Sequence, residues 1–317
     1  MTTIEGIKYE IEKAKDIVIM AHENPDGDAI GSALAMYLVL KKINKKVDVI
    51  FPEFPSTFDF LPGASEVKSE GKAEPYDLAI TVDVTGPNRL HGYRKYFEDA
   101  VTTIQIDHHE SNEMFADYNF VDPASPACAQ TLIFVIEQLG VEIDKQIGTC
   151  LLTGIITDTG GFKYEGVSAE TFEFASELLA KGVNVSDVYK RVLQVKTRAN
   201  FELRKISMDR MEFLCNNKIA FTYITAEDME NTKAAPGDHE GLVELGRDIE
   251  GVEVSIFLRP TENGYKASLR SNNYVNVSDL ALLFNGGGHV RAAGCSLTGN
   301  IEQCKNRIIE AASKVIK

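Results

Sequence analysis

"DIVIMAHENPDGDAIGSALAMYLVL" occupies residues 16–40, and the change of period within it decides the fold. Asp16 to Ala21 is a short apolar run that reads as a strand, whereas from Asp28 onward Ile30, Ala33, Leu34, Tyr37 and Leu38 recur at helical spacing. A buried strand followed within a few residues by a helix is how a parallel α/β sheet begins. The loop between them holds His22, Asp26 and Asp28, three metal-competent side chains within seven positions.

The same alternation continues outward. A helix with Ile4, Ile7, Ile11 and Ala14 precedes the strand, and further strands read at "KVDVIF" (46–51), "DLAITVD" (77–83) and "TTIQID" (102–107). Helices are expected at 126–139, 144–157, 168–181 and 185–204. The last is charged and poor in glycine, and reads as a connector. Beyond it the rhythm changes to a hairpin at 207–224, a helix at 239–249, paired strands "VEVSIFLR" (252–259) and "GYKASLRS" (264–271), a helix at 278–284 and a closing helix from 301. The fold class is therefore α/β, a mainly parallel sheet flanked by helices over 1–187, joined by a connector helix at 188–205 to a smaller α+β domain at 206–317.

Composition limits the partners. With 33 basic and 47 acidic residues among 317, the net charge is −14. Tracking along long duplex nucleic acid depends on many basic contacts to phosphates and is argued against. The five cysteines are scattered and form no CxxC pair, so neither a disulfide frame nor a thiolate zinc site is signalled. No apolar run approaches the ~18 residues of a membrane span, and no signal-peptide pattern stands at the start. A cytoplasmic protein is expected.

Ligands of open α/β sheets sit beyond the carboxyl ends of the strands, where the candidate groups fall. His22, Asp26 and Asp28 follow the first strand, Asp83 closes "AITVD", and "DHH" (Asp107, His108, His109) closes "TIQI". Asp158, in "GIITDTGGF", stands where an apolar helix runs out into glycines. Singly, Asp26-Gly27 reads as a turn, Asp28 as a helix N-cap and Asp83 as a loop residue. Jointly, these groups would repel unless cations held them. Their mixed O/N character suits Mn²⁺, with Co²⁺, Mg²⁺ or Fe²⁺ as alternatives. Six ligands suffice for two metals bridged by carboxylates, the arrangement that activates water for in-line phosphoryl displacement.

"HENPDGD", Asp83, "DHH" and "TDTGGF" together resemble the four motifs of the DHH phosphoesterase superfamily, and "NGGGHVRAAG" (285–294) is similar to the glycine-rich signature of its associated C-terminal domain. The two-domain length is most similar to the nanoRNase/pAp phosphatase group. The resemblance implies a hydrolase of short oligoribonucleotides and of the 3′-phosphate of pAp. A phosphodiesterase of cyclic di-AMP or pApA, a manganese pyrophosphatase and a non-catalytic binder of RNA ends stay open as alternatives, as does a homodimer.

By the resemblance, His22, Asp26, Asp83 and Asp158 hold one metal, and Asp28, Asp83, His108 and Asp158 the other. His109 faces the scissile phosphate, with Asp107 behind it. Ser32 and Asn24 are supporting candidates. In the second domain Gly286, Gly287 and Gly288 let backbone amides approach phosphate oxygens, and His289 adds a donor. Arg270 and Ser271 would complete the substrate pocket, with Arg291 or Arg259 as further candidates.

Overall fold

The computed structural model describes residues 3–164, 166–235 and 237–317. The chain forms two compact units, one ending at Val195 and the other beginning at Lys196.

In the first unit α1 (Thr3–Lys13) leads into β1 (Asp16–Met20), α2 (Gly27–Lys42), β2 (Lys46–Ile50), β3 (Leu78–Val82), α3 (Arg94–Glu98) and β4 (Thr102–Asp107). β5 (Tyr118–Val121), α4 (Cys128–Leu139), α5 (Lys145–Asp158), α6 (Ala169–Ala180) and α7 (Val185–Tyr189) follow. The five strands pair in parallel in the order β2-β1-β3-β4-β5, which reverses direction between β1 and β3, the topological switch point where such sheets bind ligands. β3 is buried along its whole length, as expected of a strand covered on both faces.

α2 and α5 lie against each other in that core, and glycines set how close they come. A Cβ on Gly31 would stand 2.5 Å from the Cys150 carbonyl oxygen, and one on Gly154 would stand 2.5 Å from Asp28 Oδ1. Side chains there would push the helices apart, and with them Asp28 at the start of α2 and Asp158 at the end of α5. The close packing of the core thus positions the site.

The second unit comprises α8 (Arg198–Asp209), β6 (Glu212–Leu214), β7 (Ile219–Tyr223), α9 (Ala226–Thr232), α10 (Leu242–Arg247), β8 (Val254–Thr261) and β9 (Gly264–Ser271), then α11 (Val277–Leu282), β10 (Gly287–His289), β11 (Ala292–Thr298) and α12 (Ile301–Ser313). Its six strands run in the order β10-β11-β9-β8-β7-β6. Only β7 and β8 are parallel neighbours; the other pairs are antiparallel. On one face Val254, Ile256, Leu258, Ala267 and Leu269 pack with Leu280, Cys304 and Ile308. On the other, Phe257 packs with Leu203, Leu242 and Val243.

The helix expected over 188–205 is instead interrupted. α7 continues as a π turn over Lys190–Gln194, Val195 is extended, and Thr197 starts α8 by accepting the Asn200 N–H at 2.9 Å. A hydroxyl at Thr197 satisfies one of the new helix's orphan donors, which local periodicity does not reveal. The 207–224 hairpin is confined to β6 and β7, because α8 runs on to Asp209.

Candidate metal centre

β1 ends at Met20 and carries His22 into the loop, where its imidazole is buried. Asp26, rather than Asp28, caps α2: its Oδ1 accepts the Asp28 and Ala29 N–H groups at 3.0 and 3.1 Å, while Oδ2 lies 4.0 Å from His22 Nε2. One carboxylate thus starts the helix and faces the cleft. Asp28 is almost fully enclosed, accepting from Ser32 Oγ (3.2 Å) and from the Cys128 and Ala129 amides at the start of α4 (2.6 and 2.9 Å). Ser32 thus touches Asp28, whereas Asn24 lies exposed, lining a cavity beside the site.

Asp83 stands at the centre. It follows β3 in a left-handed conformation (φ 57°), which aims its carboxylate across the strand ends. Oδ2 lies 3.6 Å from His22 Nε2, and Oδ1 lies 3.6 Å from His108 Nε2 and 3.5 Å from His109 Nδ1. His108 Nε2 also approaches Asp158 Oδ2 at 3.3 Å and Asp28 Oδ2 at 3.9 Å, while its Nδ1 meets the Ser125 carbonyl at 3.1 Å. That carbonyl fixes the ring so that Nε2 faces the carboxylates.

Among the described residues, ligand atoms lie within 4.8 Å of one another in three sets: His22, Asp26 and Asp83; Asp28, His108 and Asp158; and Asp83, Asp107, His108 and His109. The first set holds three of the four ligands expected of one metal and the second three of the four expected of the other, and Asp83 turns one oxygen toward His22 and the other toward His108. Asp107 is fully buried, with Oδ1 2.8 Å from His109 Nδ1. Asn112 donates to its Oδ2 at 2.5 Å and to the Val84 carbonyl at 3.1 Å. Sequence reasoning passed over Asn112, although it follows "DHH" closely enough to have been tested as a brace.

The electrostatics of the cluster favour a bound cation. Burial, with Asp83 close by, pushes Asp28 up to about 7. Burial also raises Asp158 well above the carboxylate range, reinforced by Asp28, Asp26 and Asp83. For Asp83 burial acts upward too, but the hydrogen bond and charge of His22, then His109 and His108, hold it far down. All three histidines are raised: burial opposes the imidazolium in each, and Asp83 with Asp26, Asp28 or Asp107 outweighs it. Asp83 Oδ1 is buried without a hydrogen bond. Carboxylates held this close, one of them with an orphaned oxygen, suit divalent cations with mixed O/N ligation.

The second unit departs from expectation in places. The glycine run is an edge strand rather than an open loop, with Gly287 opposite Gly294 and His289 opposite Ala292. Packing explains Gly286 and Gly288, whose Cβ atoms would stand within 2.5 Å of carbonyl oxygens on β11; Gly287 has open space, and it and His289 are exposed. Arg270 pairs with Glu244 at 3.0 Å and donates to the Leu269 carbonyl at 3.1 Å, which leaves Nη2 without a hydrogen bond among the described residues. Ser271, expected among the substrate groups, is turned inward: it is buried, and its hydroxyl donates to the Val275 carbonyl at 2.6 Å, closing the turn after β9. Arg291 braces that turn through the Val275 and Asn273 carbonyls.

Residues 16–155 match the DHH family N-terminal domain, and residues 216–317 match the DHHA1 domain. The chain is 37% identical over 95% of its length to the bifunctional oligoribonuclease and PAP phosphatase NrnA of Thermus thermophilus, covering 91% of that protein. It is 23% identical to the Bacillus subtilis protein of the same name, over 89% of each chain. The crystal structure of an exopolyphosphatase-related protein from Bacteroides fragilis superposes with a TM-score of 0.91 at 30% identity, over 98% of this chain and 95% of that one. A manganese-bound RecJ exonuclease shares the fold at a TM-score of 0.52 and 13% identity, over 100% of this chain and 96% of that one. With its motifs at the ends of β1, β3 and β4 and a DHHA1 domain following in the sequence, the chain belongs to the DHH family.

Proposed function

We propose that this chain is a two-metal phosphoesterase that hydrolyses short oligoribonucleotides and removes the 3′-phosphate of pAp, within the cytoplasm. The observation that carries the reading is Asp83, whose two oxygens face His22 and His108 at 3.6 Å each. His22, Asp26, Asp83 and Asp158 are the ligands of one ion in this reading; Asp28, Asp83, His108 and Asp158 are those of the other. The pair, manganese in this reading, would lower the pKa of a bound water and polarise the phosphoryl oxygens.

The chain's own residues do the rest. Nδ1 of His109 is turned to Asp107, and the raised pKa of this ring favours a form that donates to a phosphate oxygen of the substrate. Asn112 holds Asp107, so the dyad's orientation is set before substrate arrives. Arg270, through Nη2, and His289 with Gly287 on the exposed edge of β10 are the groups proposed to hold the substrate's far end. Small nucleotides present few phosphates, which accords with the acidic composition.

Incubation with Mn²⁺ and an equimolar mixture of an RNA dinucleotide, pAp, pApA and cyclic di-AMP tests the reading, with products identified by mass. Turnover of the RNA dinucleotide and pAp ahead of the cyclic dinucleotide is expected. Preferential opening of cyclic di-AMP, or release of phosphate from pyrophosphate alone, would overturn it.

A further inference from the structure

Gln105 stands in the middle of β4, fully buried, paired with Thr81 on β3 and with Asn119 on β5. Its neighbours Ile104 and Ile106 pack into the core that holds α2 and α5. Strand alternation therefore turns Gln105 to the opposite face, which gathers Ala79, Val84 and Leu90. A glutamine is out of keeping with that apolar setting. Its Oε1 is buried without a hydrogen bond among the described residues, and an amide oxygen left so costs stability that an aliphatic side chain of the same volume would not. Turning the amide over gives no relief, because Oε1 would then face a carbonyl oxygen.

That carbonyl belongs to Val84, which accepts from Gln105 Nε2 at 2.6 Å. Val84 follows Asp83, whose own N–H donates to the Ile106 carbonyl at 3.1 Å. The left-handed Asp83 (φ 57°) is thus tethered to β4 on both sides, by Ile106 before it and by Gln105 after it. A non-glycine residue in that conformation is strained and keeps it where its surroundings hold it. The Val84 oxygen has two lone pairs, and Asn112 donates to it as well, at 3.1 Å. Asn112 in turn reaches Asp107 Oδ2, and Glu113 beside it donates its N–H to the Thr85 carbonyl at 2.8 Å. One carbonyl therefore ties the turn after β3 to the loop after "DHH".

We propose that Gln105 is a positioning residue for the hydrolysis. By holding the Val84 carbonyl it fixes the direction of the Asp83 carboxylate and steadies Asn112, which holds Asp107 and, through it, His109. Its cost in stability is offset by a site whose two halves keep one geometry before substrate arrives. The reaction it serves rests on the phosphoesterase reading above, whereas the tether itself does not.

Gln105→Met tests it, since methionine has nearly the same volume and no amide to donate. In the metal-free protein, amide hydrogen exchange followed by NMR should speed up about tenfold at Asp83 and Glu113, as expected for losing one hydrogen bond, while Val18 and Ile19 in β1 keep the parent's rates. Unchanged exchange at Asp83 and Glu113 overturns the tether whatever the enzyme does. The melting temperature should equal or exceed the parent's, because the orphaned oxygen is gone and the Val84 carbonyl keeps Asn112; a lower one makes Gln105 a structural residue and overturns the proposal. With Mn²⁺ and an RNA dinucleotide, kcat should fall about tenfold at nearly constant KM, and an unchanged kcat overturns the positioning role. Combined with Asn112→Ala, the loss should exceed the product of the two single losses, since each single variant leaves the other donor on the shared carbonyl; a loss equal to that product contradicts the shared hold. Faster exchange at Asp83 in the variant of a parent that cleaves no RNA would refute the proposed function while supporting the tether.

Discussion

Asp83→Asn is the sharpest perturbation of the proposed centre. Its carboxylate is buried and lies within 3.6 Å of nitrogens on His22, His108 and His109. The position is left-handed (φ 57°), which asparagine tolerates and alanine does not, at a cost to alanine of roughly 1–2 kcal/mol. Asparagine therefore removes the charge and spares the backbone. If the carboxylate contacts both ions at about 2 kcal/mol each, the loss is about 4 kcal/mol, or about a thousandfold in kcat/KM. The assay is steady-state hydrolysis of an RNA dinucleotide with Mn²⁺, paired with elemental analysis of the desalted protein. Fewer than two ions per chain are expected. A variant with activity within tenfold of the parent and two bound ions would refute the bridging role.

Metal removal should make stability fall as pH rises. Asp28, at about 7 in the folded chain against 3.8 ordinarily, contributes stability that is complete below pH 3.8 and lost as pH climbs through 7; the raised Asp158, His22, His108 and His109 act in the same direction, and within this cluster the depressed Asp83 loses stability toward acid instead. Three units on a buried carboxylate amount to about 4 kcal/mol, so melts of chelated protein should drop by roughly 10 °C between pH 5 and 8, and Mn²⁺ should flatten the slope; a pH-independent melt counts against the pKa pattern. Asn112→Ala frees Asp107 and should lower kcat about 10- to 100-fold with two ions retained; metal loss instead would make Asn112 structural. Gly154→Ala puts a Cβ 2.5 Å from Asp28 Oδ1 and 2.6 Å from Ala129 Cβ, so urea titration should show a loss of about 1–3 kcal/mol, and an unchanged midpoint would mean that α2 and α5 are not tightly constrained. Arg270→Ala should raise KM about tenfold with kcat nearly constant; a kcat effect alone would place Arg270 at the reacting phosphate.

The parallel sheet was legible because β1, β3 and β4 are short, apolar runs and α2 has clear helical spacing. Every candidate ligand lies at a strand end or helix end that this pattern already marked. What stayed hidden depends on contacts between distant parts of the chain. The Ser125 carbonyl that orients His108 and the α4 amides that hold Asp28 are backbone groups without a residue signature. β10 and β11 were missed because Gly287 and Gly288 have no strand propensity, and the approach to β11 decides their conformation. Ser271 was misread because "LRS" reads as two exposed polar residues, whereas strand alternation turns Arg270 and Ser271 to opposite faces. The break at Val195–Thr197 carries neither glycine nor proline, so a hydroxyl cap was its only local sign.

The most direct test of the central claim is a titration of metal-free protein with Mn²⁺ while RNA dinucleotide hydrolysis and bound metal are recorded on the same sample. The account expects negligible turnover without metal and a rise that levels off at two ions per chain, each visible in an anomalous map between His22, Asp83 and His108. Full turnover in chelator, or saturation with no ion at Asp83, would contradict it.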